Sequence, residues 1–226
     1  HPTKLSTVAP ADCLAEMQFD FPVADGGVSR KGIAQALIAS DWSKKNSFSD
    51  ILNDWIKKAE AARNRRITKL PPDSAEDEMD DVTLRGFMTG FIDLTFRVHD
   101  DSLSGHPYRY YLLDWKSNRL DGTFASFDAD SKGITDEMGR NRYFFQYLLY
   151  SVAVHHFLLA TIGKENYSYD DHFGGAYYVF LRGVMPPAEH TGDWEAKRCV
   201  YSDRPSLDVI NKLSAALGLP GTEVSQ

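Results

Sequence analysis

Two short runs constrain this chain more than any other feature: Gly90-Phe91-Ile92-Asp93-Leu94-Thr95-Phe96-Arg97 and Tyr110-Tyr111-Leu112-Leu113-Asp114-Trp115-Lys116-Ser117-Asn118. Their aromatic and aliphatic content predicts two strands, and the polar stretch His99 to His106 between them predicts the loop of a β-hairpin. A hairpin symmetric about that loop turns near Leu103 and Ser104, which sets Asp93 opposite Asp114. Strand side chains alternate between faces, so Asp114 and Lys116 share a side and Trp115 takes the other. Two carboxylates facing each other repel, so one of them should bind a proton more readily than a free Asp.

An Asp-x-Lys on a strand is often only an exposed salt-bridging pair. Here Asp93 sits within the apolar run Phe91, Ile92, Leu94 and Phe96, and Asp114 directly follows Tyr110 to Leu113. Acidic residues are rarely buried without a partner or a task. Paired hard oxygen ligands suit Mg²⁺ or Mn²⁺. An ammonium on the same face can orient a water or offset charge developing on a phosphate. Two carboxylates and an amine are the minimum equipment of a metal-dependent phosphodiesterase.

The 226 residues suffice for a sizeable core, and 42% hydrophobic with 12% aromatic residues argues against disorder. The net charge of −7 is unexpected for an isolated nucleic-acid binder, which ordinarily presents a basic surface to phosphates. It suits a module fed its substrate by a larger machine. The basic run Lys57, Lys58, Arg63, Arg65, Arg66 and Lys69 reads as a solvated helix face with acidic neighbours such as Glu60. Cys13 and Cys199 have no zinc spacing, so a reduced cytoplasmic setting is the default expectation. Phe144 to Gly163 is the sole membrane suspect, but Gln146, Tyr150, His155 and His156 favour a buried amphipathic helix, with no membrane partner.

Along the chain, Leu14 to Val23 alternates as a strand with Glu16 and Gln18 on one face and Met17, Phe19 and Phe21 on the other. Helices are predicted over Lys31 to Ala39 and Phe48 to Arg66, the second capped by Ser47 or Ser49. Pro71 to Asp81 reads as an acidic surface loop. Leu120 to Gly133 reads as a polar connection whose Asp121, Asp128 and Asp130 lack a calcium-loop pattern. One long helix is predicted from Thr135 to about Ile162, with Arg142, Gln146 and Tyr150 on one face at i, i+4, i+8. His155 and His156, about 100° apart around that helix, are packing or surface residues rather than joint metal ligands. Gly174 to Val184 completes the set as a further strand.

Several blocks in this order resemble one family. They are Ala15-Glu16-Met17-Gln18-Phe19 with Phe21-Pro22; Arg85-Gly86 leading into the run from Gly90; the run from Tyr110 to Asn118; Arg142-Tyr143 with Gln146-Tyr147 and Leu149-Tyr150; the stretch His172 to Val184; and Tyr201 to Pro205 with a helical tail. The family is the C-terminal nuclease domain of RecB, the β subunit of the bacterial RecBCD helicase-nuclease (exodeoxyribonuclease V), within the PD-(D/E)xK superfamily. The resemblance spans most of the chain.

What the resemblance implies is a single α/β domain over 1–226, with a restriction-endonuclease-like central mixed sheet flanked by helices. Residues 29–84 form a variable helical insertion and acidic loop. It implies Asp93 and Asp114 as metal carboxylates, Lys116 as the catalytic lysine and Glu16 at an acidic motif position. Gln146 and Tyr150 match a helical QxxxY motif, and Arg142 and Asn118 are candidate DNA-contacting or site-supporting residues. The implied activity is Mg²⁺-dependent exonucleolytic hydrolysis of DNA, with Mn²⁺ as substitute, during double-strand-break repair and recombination. The implied partners are single strands from unwound duplex ends, RecC-type and RecD-type subunits, and RecA. The family also places a metal-binding histidine on a helix upstream of the Glu16 strand. Only fifteen residues precede Glu16 here and His1 lies in no helical pattern, so this stretch by itself is expected to be a poor nuclease. Two readings compete: a protein-interaction platform for RecA loading, and an AddAB-type subunit, whose four cluster-binding cysteines are not matched by Cys13 and Cys199.

Overall fold

The computed structural model describes residues 5–22, 27–42, 48–69, 86–120, 124–127, 132–184 and 199–219. The chain divides into two compact units, His1–Phe19 with Gly90–Pro205, and Asp20–Thr89 with Ser206–Gln226.

The first unit is built on a mixed five-stranded sheet in sequence order, β1 (Cys13–Pro22), β2 (Phe87–His99), β3 (Tyr108–Lys116), β4 (Phe173–Phe180) and β5 (Val200–Asp203). β1 buries Met17, Phe19 and Phe21 and exposes Glu16, Gln18 and Asp20, the alternation the sequence predicts. β2 and β3 form the hairpin, antiparallel from Leu94↔Leu113 to His99↔Tyr108, in the register expected from a turn near Leu103 and Ser104. β4 lies parallel to β3 and β5 antiparallel to β4. A parallel neighbour requires a crossover, and this one carries α3 (Lys132–Arg140), α4 (Tyr143–Ile162) and the short α5 (Tyr169–His172). The architecture is α/β with a restriction-endonuclease-like sheet and flanking helices.

α4 is long and apolar enough to cross a membrane by length and composition. Its side chains instead fill the core: Phe144, Tyr147, Leu148, Val152, Val154 and Leu158 are fully buried, and it packs against β4. The single helix predicted from Thr135 is two helices. Arg142, at φ +58, breaks the run. Its N–H bonds the carbonyl of Gly139 at 3.1 Å, while its own carbonyl accepts from Phe145 and Gln146. A left-handed turn of this kind ends a helix, and for a side-chain-bearing residue it costs roughly 1–2 kcal/mol. Arg142 therefore does not continue the helical face of Gln146 and Tyr150.

Gly90 shows how tightly β1 and β2 pack. A Cβ there would come within 2.4 Å of the ring of Phe19, itself edge-on to Tyr150 at 5.6 Å between centroids. Gly90→Ala is expected to lower unfolding free energy by about 1–3 kcal/mol, the usual cost of overfilling a packed site; denaturant titration of the two proteins measures it.

In the second unit α1 (Arg30–Ala39) packs against α2 (Ser49–Lys69) and α6 (Leu207–Ala216). Ile33, Ala34, Leu37, Leu52, Trp55, Val209, Ile210 and Leu213 supply its buried apolar faces. Ser29 and Ser206 cap α1 and α6. For α2 the carbonyl of Phe48 receives the first-turn N–H groups, so Ser49 is the first helical residue and not the cap, while Ser47 lies outside the described residues. Lys58 pairs with Asp54 at 2.8 Å and Glu60 with Lys31 at 3.0 Å, the solvated, acid-neutralised face expected for this end of the basic run. Lys212 Nζ donates to the carbonyl of Ala39 at 3.0 Å and Ser206 Oγ to Asp41 Oδ1 at 2.6 Å.

Candidate active site

The site forms where the β2–β3 ladder stops. Its last register pair is Leu94↔Leu113. Beyond it, the N–H of Trp115 donates to the side-chain Oδ2 of Asp93 at 2.9 Å. A carboxylate thus takes the place of a strand carbonyl and is held beside Asp114. β3 continues in register with β4, Asp114↔Tyr178 and Lys116↔Phe180.

Alternation does the rest. The side chains of Asp114 and Lys116 are 3% and 10% exposed, whereas Trp115 on the opposite face is 40% exposed. Lys116 Nζ forms an ion pair with Asp114 Oδ1 and donates to Gln146 Oε1 at 2.9 Å. It lies 4.1 Å from the ring centroid of Tyr143 and 5.0 Å from that of Tyr178. Gln146 turns its Nε2 to the Tyr150 hydroxyl at 2.8 Å and receives the Tyr178 hydroxyl on Oε1 at 3.1 Å. The buried ammonium is therefore matched by one carboxylate, one amide oxygen and two aromatic faces, the compensation that desolvating a charge requires.

Burial raises the Asp114 carboxyl above the ordinary Asp range; Lys116 opposes this shift, and the charge of Asp93 adds a smaller upward push. The direction is that expected of opposed carboxylates, but desolvation is the larger cause. The Tyr150 hydroxyl is pushed up to about 12, by burial first and then by the charge of Asp114.

Glu16 is exposed on β1 with a left-handed backbone, φ +51. Among the described residues no group of three or more His, Cys, Asp or Glu side chains is arranged to hold a metal, so Glu16 does not join Asp93 and Asp114 in one cluster. Asn118 faces Glu137 and Tyr143, with Nδ2 donating to Glu137 Oε1 at 2.8 Å and Oδ1 accepting the Tyr143 hydroxyl at 3.1 Å. Arg142 is exposed at the start of α4. His155 is fully buried, its Nδ1 2.8 Å from the Tyr167 hydroxyl, the packing role expected of it. His1, the acidic loop and Asp121, Asp128 and Asp130 lie outside the described residues.

Sequence reasoning assigned no role to three residues of this site. Tyr143 follows Arg142 within a motif block and could have been suspected. Tyr178 reaches the lysine only through the parallel register of a strand more than sixty residues away, which no local pattern reveals. Glu137 is 5% exposed on a short helix and carries no motif.

The carboxylates suit a divalent metal by donor chemistry: one or two carboxylates, completed by water and phosphate oxygens, are the usual protein share of a Mg²⁺ site.

No family model matches the chain. RecBCD enzyme subunit RecB of Haemophilus influenzae is 35% identical over 144 residues, covering 64% of this chain and 10% of that protein. RecB of Escherichia coli is 38% identical over 127 residues, 56% of this chain and 9% of that protein. RecB of Mycolicibacterium smegmatis is 26% identical over 231 residues, 96% of this chain and 19% of that protein. The chain thus spans between about a tenth and a fifth of the length of these relatives. With its mixed α/β sheet, the chain resembles the C-terminal nuclease domain of RecB over much of its length.

Proposed function

We propose that this chain is the nuclease part of a cytoplasmic RecBCD-type helicase-nuclease acting in double-strand-break repair and recombination and that, joined to the segment upstream of the Glu16 strand, it hydrolyses phosphodiester bonds of DNA with Mg²⁺ as cofactor. The observation that carries this reading is the Asp114–Lys116 ion pair on one strand face, with Asp93 fixed beside it by the Trp115 amide. Asp93 and Asp114 would hold the cation, which when bound supplies positive charge against the phosphate oxygens. Lys116 positions the attacking water and neutralises charge on the phosphorane-like transition state. Gln146 and Tyr178 restrict where the ammonium can point, and restriction of this kind is what preorganisation means. The substrate is expected to be single strands from unwound duplex ends, read through their backbone without sequence choice. RecC-type and RecD-type subunits are the proposed assembly partners. A role in loading RecA is the second reading, drawn from the family resemblance alone.

Metal binding separates enzyme from platform. Mn²⁺ should raise the melting temperature of the unaltered protein, because a ligand of the folded state stabilises it. Asp114→Asn should abolish that rise. Opposed carboxylates alone would make this change neutral for the metal-free protein. The buried pairing with Lys116 reverses the expectation, and a loss of about 1–3 kcal/mol should follow from depriving a desolvated ammonium of its counter-charge. An unchanged Mn²⁺ shift in Asp114→Asn would remove Asp114 from the ligand set.

A further inference from the structure

Glu137 is a carboxylate buried beside Ile134 and Met138 on α3, where an apolar residue would cost nothing in desolvation. Three donors converge on it. Asn118 Nδ2 and Asn141 Nδ2 meet Oε1 at 2.8 and 2.7 Å, and Arg140 Nη1 meets Oε2 at 2.7 Å. A carboxylate only accepts, so Asn118 must turn its NH₂ toward Glu137 and leave its Oδ1 for the Tyr143 hydroxyl, 3.1 Å away. The Tyr143 ring lies 4.1 Å from Lys116 Nζ. Glu137, Asn118 and Tyr143 therefore form an oriented line that ends on the lysine ammonium, through a contact additional to those of Gln146 and Asp114. A glutamine at 137 would bring a donor where three donors already point, and the amide of Asn118 would lose its fixed sense.

We infer that Glu137 is a positioning residue for Lys116, acting through Asn118 and the ring of Tyr143. The inference rests on the proposed role of Lys116 for its catalytic consequence, but not for its geometric content, so the two can fail separately.

The test reads the lysine directly. In protein labelled with ¹⁵N and ¹³C at lysine, the Lys116 Cε and Nζ signals, assigned by their loss in Lys116→Arg, should be displaced from those of exposed lysines by the Tyr143 ring. Glu137→Gln should move them toward the exposed position. Tyr143→Phe, which keeps the ring and removes only the hydroxyl tie, should move them part of the way and serves as the second variant if Glu137→Gln fails to fold. Cleavage of single-stranded DNA with Mg²⁺ should fall about tenfold in kcat in Glu137→Gln with KM nearly unchanged, the lower end of what loss of an outer hydrogen-bonding partner costs. Unmoved Lys116 signals in a folded Glu137→Gln or in Tyr143→Phe overturn the inference, and so do displaced signals with wild-type kcat. Displaced signals in a protein that cleaves no DNA even with the segment upstream of the Glu16 strand present uphold the positioning of Lys116 and overturn the nuclease reading instead.

Discussion

In a protein that also carries the segment upstream of the Glu16 strand, Asp114→Ala and Lys116→Ala should each lower the rate of Mg²⁺-dependent DNA cleavage by at least about a hundredfold, roughly 3 kcal/mol of transition-state stabilisation, the scale of losing one preorganised electrostatic group. The two residues form a single buried ion pair on one strand face, so their effects should not add: the double variant should be little worse than either single one. Each truncation also leaves its partner charge buried, which can cost several kcal/mol of stability. The assay therefore belongs below the melting temperature of the weaker variant, with circular dichroism to show that both are folded. Lys116→Met, which keeps the stem volume and removes the charge, separates packing from electrostatics. Near-normal cleavage by Asp114→Ala, with its metal dependence intact, would end the assignment of this site.

The legibility of the site followed the range of the interactions involved. Asp93, Asp114 and Lys116 could be placed from the sequence because a hairpin's register follows from its turn and alternation fixes the faces. The link from Gln146 and Tyr150 to the lysine came only through the family motif, since nothing local says which face of α4 meets the sheet. Tyr178 depends on a parallel crossover and Glu137 on a corner between two helices. That corner itself was hidden because Arg142 adopts a left-handed backbone without being Gly or Asn, the residues whose presence would signal it. The part taken by α6 was unreadable for a similar reason: its partner α1 is distant in sequence, and an apolar helical stripe does not name the surface it covers.

A second large effect concerns acid. Buried His155 titrates well below an ordinary histidine, at about 4, because of desolvation and then the neighbouring His156. Unfolded, it titrates near 6.5. Above that pH neither state is protonated and the full stability is present. As pH falls from about 6.5 to 4 the unfolded chain gains a proton that the folded one refuses, and the domain should lose about 3 kcal/mol, levelling off once both forms are protonated. His156 and His106, also held below their ordinary range by burial, act in the same direction. Urea midpoints between pH 7.5 and 4 measure the slope. His155→Gln, which can still meet the Tyr167 hydroxyl, should flatten it. Equal slopes in the two proteins would show that His155 takes up its proton over the same pH range folded as unfolded.

The packing of α6 on α1 has a consequence for the order of folding. The bond from Lys212 to the carbonyl of Ala39 joins residues 173 positions apart, and that from Ser206 to Asp41 joins residues 165 apart. During synthesis the N-terminal helices of the second unit must wait, with Ile33 and Leu37 lacking part of their cover, until nearly all of the first unit has emerged. Closing so long an unstructured loop costs on the order of 4–5 kcal/mol in chain entropy. Prior folding of the intervening sheet would spare most of that cost, so the sheet unit should acquire protection from hydrogen exchange first and the helical unit last.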